Sequence, residues 1–179
     1  MHVALRLGSR ALHRTALAAA VGSLVVTGAA VQHGVWPLDP RPEVVQRFDP
    51  PAHRWEAGHR GVDLAGHLGQ PVHAALGGQV TFAGRLAGRG IVVVSHGATR
   101  TTYEPVAASV SAGDRVRAGD VIGSLQLFSS HCFPAVCLHW GLIEGREHYL
   151  DPLALVGAGP VRLFPPARAR LMTTHHAAN

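Results

Sequence analysis

Residues 59–84 read HRGVDLAGHLGQPVHAALGGQVTFAG. Short β-rich runs, Gly61–Ala65, Pro71–Ala75 and Gln79–Ala83, are separated by glycines, with no room for a helix between them. The same texture continues outward through Ile91–Ser95, Thr101–Tyr103, Val121–Leu125 and Cys137–Ile143. Strands of this length and spacing, broken by turn residues, predict an antiparallel sandwich or open barrel. No segment between 53 and 157 carries a helical period. Residues 109–125, SVSAGDRVRAGDVIGSL, hold two Gly-Asp turns flanked by Val and Ile, a tight reversal between strands. The predicted fold class is therefore all-β.

Composition agrees. Apolar residues make up 47% of the chain, enough for an ordinary core, and 21 Gly with 12 Pro supply the turns that many short strands need. The net charge is +5, but the excess gathers at the ends: Arg6, Arg10 and Arg14 at the start, and Arg162, Arg168 and Arg170 near the finish. No compact Lys/Arg stripe is interleaved with aromatics, which argues against nucleic acid as a partner.

The start reads as a targeting segment. A positive region precedes an apolar run from Thr15 to Val31, with Gly28 and Ala30 placed for cleavage. Residues 1–30 are expected to be a signal peptide or an uncleaved signal anchor, and either puts the remainder outside the cytoplasm. Residues 31–52, rich in Pro and charge from Trp36 to Pro51, are expected to form a linker or a strap laid over the β domain of 53–157. Residues 158–179 are expected to be a disordered basic tail. His175 and His176 in that tail are read as inert. Cys132 and Cys137 are read as a disulfide in preference to a Cys–Cys metal site, since an exported chain meets an oxidising compartment.

The chemistry sits in two places. In His59-Arg-Gly-Val-Asp63, residues i and i+4 of an extended chain face the same way, so His59 and Asp63 converge if the link is extended. In Cys137-Leu-His-Trp140, residues 137 and 139 share a face while Leu138 turns to the core. Imidazole and carboxylate are natural zinc ligands, and three protein ligands leave a fourth position open for water.

The ordered series HRGVDLAGHLGQPVHAALGGQVTFAG, IVVVSHG, TTYEP, SAGDRVRAGDVIG, CLHWGL and YLDPL resembles the core domain of the lysostaphin-type peptidoglycan metalloendopeptidases from about Val35 to Val156. That resemblance implies a compact antiparallel β structure with an open groove. It implies one zinc ion held by His59, Asp63 and His139, and action on peptidoglycan peptides in a secreted, wall-associated or outer-face-anchored protein. The chain is expected to be a monomer and to meet a membrane only through the N-terminal segment, if that segment stays uncleaved.

Two positions depart from the family pattern. The usual histidine two residues before the last ligand is Cys137, and the one two residues after the middle-motif Tyr103 is Pro105. Those histidines position and deprotonate the attacking water or stabilise the oxyanion, contributions of about 10²–10⁴ and about 10²–10³ in rate. The replacement candidate is His131, beside Cys132, where a disulfide would hold it over the metal. Glu104 is expected to face away from the lost position, because successive strand residues alternate. His96 is read as a structural strand-end residue, and His67 and His73 as surface or groove-wall residues. Two functions follow: a zinc endopeptidase with a rearranged site, or a non-hydrolytic relative that binds wall peptides or regulates another hydrolase. A metal-free carrier-like β domain fits the Gly-Asp reversal but leaves the filled ligand positions unexplained.

Overall fold

The computed structural model describes residues 33–159. The strands are β1 (Val44–Gln46), β2 (Val62–Gly66), β3 (Pro71–His73), β4 (Gly78–Leu86), β5 (Arg89–Ser95), β6 (Thr99–Glu104), β7 (Val106–Ala108), β8 (Arg115–Val116), β9 (Val121–Leu125), β10 (Val136–Glu144) and β11 (His148–Leu150). A 3-10 turn, Pro152–Val156, follows. Among the described residues there is no α-helix, and no helix is long and apolar enough to cross a membrane. The N-terminal segment of 1–30 and the tail from Pro160 onward lie outside the described residues.

One large sheet runs in the order β1-β2-β10-β6-β5-β4-β8, with β11 on β10. A smaller sheet runs β3-β9-β7. Every pairing is antiparallel. The large sheet ends on the short strands β1 and β8 instead of closing into a barrel, which settles the sandwich-or-barrel alternative as two open sheets.

The core lies between the sheets. β5 alternates, with Val92 and Val94 fully buried and Ile91, Val93 and Ser95 half-buried on the other face, the pattern of a strand with one face in the core. From the large sheet Val62, Leu64, Val80, Tyr103, Leu138 and Trp140 meet Val72, Val106, Ile122 and Leu125 of the small one. Each buried Val or Leu contributes about 1.5–3 kcal/mol relative to exposure. The polar handle of Tyr103 is satisfied inside this core: its hydroxyl accepts the Ala75 N–H at 2.8 Å and exchanges a 2.9 Å hydrogen bond with Thr101. Burial pushes its phenol up to about 12. His96, just past the end of β5, caps the network: Nδ1–H donates to Gly77 O at 2.9 Å and Nε2 meets the Thr101 hydroxyl at 2.9 Å.

β10 is buried from Cys137 to Ile143, because it is central in the large sheet and covered on both faces. Leu138 and Trp140 belong to the core, so Cys137 and His139 turn to the opposite face. The segment 36–51 straps the domain and is more than connecting chain. Leu38 is fully buried, Trp36 and Phe48 pack on the core, and β1 adds to β2 through Val44 and Leu64. The reversal at 109–125 is built from two matched turns, in which Asp114 and Asp120 carboxylates accept the N–H groups of Ser111 (2.8 Å) and Arg117 (2.7 Å).

Candidate metal centre and its groove

Asp63 in β2 and His139 in β10 are directly opposed across the ladder, and His139 is in turn opposed to Glu104 in β6. Directly opposed residues share a face, so the three form one row across adjacent strands. His139 Nδ1 stands 2.8 Å from Asp63 Oδ1.

His59 completes the cluster from outside β2. It forms an isolated bridge with Asp49, donating its N–H to Asp49 O at 2.6 Å and accepting the Asp49 N–H at 2.9 Å. Its Nδ1–H donates to Arg47 O at 2.8 Å, which fixes the tautomer and leaves the Nε2 lone pair free. That Nε2 lies 3.1 Å from both Asp63 Oδ1 and His139 Nδ1. The chain bends at Arg60 and Gly61 between them, so a bend, not the extended link the spacing implied, makes His59 and Asp63 converge. A Cβ added at Gly61 would meet Trp140 O at 2.5 Å and His139 Nε2 at 2.8 Å, so only glycine lets the bend close over the His139 ring.

His131 also reaches the cluster. Its Nδ1 is 3.3 Å from Asp63 Oδ1, and its ring centroid is 4.7 Å from that of His139. Local anchoring on both sides places it. Cys132 and Cys137 form a disulfide with Cα atoms 5.8 Å apart. Buried Ser130 accepts the N–H groups of Cys132 (3.2 Å) and Cys137 (3.1 Å) on its hydroxyl oxygen. The disulfide thus leaves from the site face at position 137 and returns an imidazole to that site from position 131. His67 and His73 stay outside the cluster, bonded to Leu68 O and Gly119 O.

Burial pushes the Asp63 carboxyl up, but hydrogen bonds from His131 and His139 and the charges of His59 and His139 outweigh it and hold the group well below the usual carboxylate range. The bond to Asp63 raises His131, against its partial burial. Among the described residues, His59, Asp63, His131 and His139 form a group whose ligand atoms all lie within 4.8 Å of one another; a second group, Asp63 with Cys132 and Cys137, has its sulfurs tied in the disulfide. A tetrahedral zinc with bonds of 2.0–2.2 Å separates its ligand atoms by roughly 3.3–3.6 Å. The spacings of His59, Asp63 and His139 are 2.8–3.1 Å, so with two imidazoles and a carboxylate as donors the cluster needs to open by only about 0.5 Å to take such an ion.

The cluster opens into a groove of about 480 Å³ whose floor is the outer face of β4, β5 and β6, including Phe82, Ile91, Val93 and Thr102. Glu104 lines this groove with His139 and His131. The expectation that it faces away is corrected: the alternation is anchored by buried Tyr103, which puts Glu104 on the groove side. Sequence reasoning also missed Arg89, which opens β5 and reaches both Glu104 and His131 (Nη1 to Oε1 3.1 Å, to Nε2 3.2 Å). Ser130 was missed as well. No local motif marks either one, because their partners lie elsewhere in sequence. Arg60 stacks over the Tyr149 ring at 5.6 Å and divides the groove from a neighbouring recess of about 650 Å³ bounded by Pro50–Arg54 and Glu147–Tyr149.

The model of peptidase family M23 matches residues 57–152, more than half of the chain and every residue of the cluster. The chain belongs to peptidase family M23. An uncharacterized protein of Mycobacterium tuberculosis is 51% identical over 134 residues, covering 73% of this chain and 54% of the relative. A DD-carboxypeptidase/endopeptidase of Neisseria meningitidis is 39% identical over 79 residues, 43% of this chain and 18% of that protein. The chain therefore spans about half, or less, of the length of the curated relatives it matches. Among solved structures, lysostaphin from Staphylococcus simulans superposes with a TM-score of 0.60 at 24% identity, over 82% of this chain and 62% of that one. A zinc-containing peptidase from Vibrio cholerae gives 0.54 at 22% identity, over 64% and 37%. At these identities the likeness to the solved structures is one of fold. It bears out the predicted antiparallel architecture, and the family match bears out the expected resemblance to the lysostaphin-type peptidases.

Proposed function

We propose that this M23 domain is an exported zinc peptidase acting on peptidoglycan peptides, in which His59, Asp63 and His139 hold the metal and His131 works on the reacting atoms. The observation that carries the reading is the position of the His131 ring, with Nδ1 3.3 Å from Oδ1 of Asp63, the ligand carboxylate that His59 and His139 also meet. Family membership supports the substrate class and the zinc. The N-terminal apolar run after three arginines, together with the disulfide, supports export.

When bound, zinc would polarise the scissile carbonyl and lower the pKa of a water. The chain's residues do the rest. Asp63, held ionised by its histidine neighbours, supplies a charged ligand and ties the ring of His131 to the ligand set. His131 exchanges hydrogen bonds with reacting groups in the half-open groove, with 32% of its side chain exposed. The apolar floor of Phe82, Ile91 and Val93 seats the peptide and sheds water from it. The disulfide removes Cys137 as a base, while His131 beside it brings an imidazole to the ligand cluster, and it is this second placement that favours hydrolysis over the non-catalytic alternative.

The test is release of soluble peptide from purified cell walls by the full chain with one equivalent of zinc. Release is expected, with loss in His139→Ala together with the metal and loss in His131→Ala with metal retained. No release above the His139→Ala control, with wall binding kept, would establish the non-hydrolytic reading instead.

A further inference from the structure

Arg89 meets two side chains at once. Its Nη1 lies 3.1 Å from Glu104 Oε1 and 3.2 Å from His131 Nε2, and its Nε is buried without a hydrogen-bond partner. A guanidinium carries only donors and stays charged at every working pH. The atom it meets on His131 must therefore accept. A neutral imidazole has one N–H, so the proton of His131 sits on the other nitrogen, Nδ1, the atom 3.3 Å from Asp63 Oδ1. We infer that Arg89 is a positioning residue that locks His131 as the Nδ1–H tautomer, so that the ring offers the metal site a hydrogen-bond donor and not a lone pair.

The arrangement is more than a surface ion pair. An ordinary Arg–Glu pair needs no third member, yet here the guanidinium ties β5 both to Glu104 of β6 and to His131, 42 positions away and next to the disulfide. Its place is fixed by the next residue. A Cβ at Gly90 would run into Val106 O, so the start of β5 is pressed against β7 and cannot slide. Leaving Nε buried and unpaired costs stability that a merely structural arginine avoids by staying in water. Glu104 offsets the positive charge of Arg89 beside a cation site and holds the guanidinium from the groove side. The inference rests on the proposed role of His131 and deepens it: a donor at Nδ1 serves the developing oxyanion of a tetrahedral intermediate, an electrostatic role preorganised by Arg89, and leaves proton removal from water to another group.

The tautomer is read directly. In full chain labelled with ¹⁵N-histidine, with and without zinc, long-range ¹H–¹⁵N spectra at alkaline pH report which ring nitrogen carries the proton, and His131→Gln assigns the signal. The expected result is Nδ1–H for His131 in the native chain and in Arg89→Lys, which keeps a donor, and a shift toward Nε2–H in Arg89→Met. Nε2–H in the native chain, or an unchanged tautomer in a folded Arg89→Met, overturns the inference. If Arg89→Met does not fold, Glu104→Gln is measured in its place. Freed from its carboxylate, the guanidinium is expected still to keep His131 as Nδ1–H, and loss of that state overturns the inference. In the wall assay Arg89→Met is expected to lower kcat by about 10–100-fold, the usual effect of losing an outer-shell partner, at unchanged KM and zinc content, with partial rescue by guanidinium ion. A chain with the Nδ1–H tautomer but no peptide release sinks the proposed function while leaving the assignment standing, so the two failures are told apart.

Discussion

Gly61→Ala tests how the metal ligands are brought together. The added methyl carbon would lie 2.5 Å from Trp140 O and 2.8 Å from His139 Nε2. Carbon and a non-bonded heavy atom sit comfortably at about 3.5 Å, so the bend or the His139 ring must retreat by roughly 0.7–1 Å. Trp140 O belongs to the buried central strand and cannot give way, so the displacement falls on the ring and on the bend that carries His59. A metal constellation tolerates about 0.5 Å, and the move exceeds that. The expected result is a fall in zinc affinity of about 10–100-fold, equivalent to about 1.4–2.7 kcal/mol, with a further about 1–3 kcal/mol of overpacking cost in the metal-free fold. Competition with a chromophoric chelator measures the first and urea unfolding in a chelator measures the second. A Gly61→Ala chain that binds zinc as tightly as the parent would refute the close-approach argument.

Reduction of the disulfide, or Cys132→Ser with Cys137→Ser, is expected to cost about 2 kcal/mol by loop-closure entropy. It should lower peptide release at least about tenfold by freeing His131 while zinc content holds; unchanged release would show that Ser130 alone fixes the loop. His96 is lowered by burial, against the bond to Gly77 O, so the fold favours its neutral form. Stability is then full above the unfolded pKa of about 6.5 and falls as pH drops below it, levelling beneath the folded pKa. His96→Gln is expected to flatten that part of the urea-midpoint curve of metal-free chain, and an unaltered slope would sink the assignment. Zinc at about 100 times its Kd is expected to raise unfolding stability by about 2.7 kcal/mol. Chelation should reverse this, and His59→Ala should be insensitive to either treatment; a zinc response in His59→Ala would remove His59 from the ligand set.

Much of the architecture was legible because glycine and β-rich runs are local signals. The strands around Val62, Val80, Val92, Val121 and Leu138 fall where the sequence places them. Those missed, β1, β7, β8 and β11, are two or three residues long, and backbone pairing with a neighbour creates them, not their own side-chain pattern. The same division holds at the site. His59, Asp63 and His139 stand in recognisable motifs, while His131 depends on a ring closed by two cysteines, and Arg89 on partners 15 and 42 residues away. Glu104 was misjudged because parity was counted from the position two beyond Tyr103, when buried Tyr103 itself sets which face its neighbours take.

The row Asp63–His139–Glu104 has a consequence for how this domain tolerates change. Since side chains alternate with a period of two, a one-residue slip of β10 against its neighbours would swap Cys137 and His139 for Leu138 and Trp140 on the groove face and bury the disulfide-bearing Cys137 and the ligand His139 in the core. Insertions or deletions within β2, β6 or β10 therefore act as an odd-or-even counter. Length variation in this family should accumulate in the loops at 67–70 and 145–147, where it leaves the parity of all three strands and the anchoring of His131 untouched.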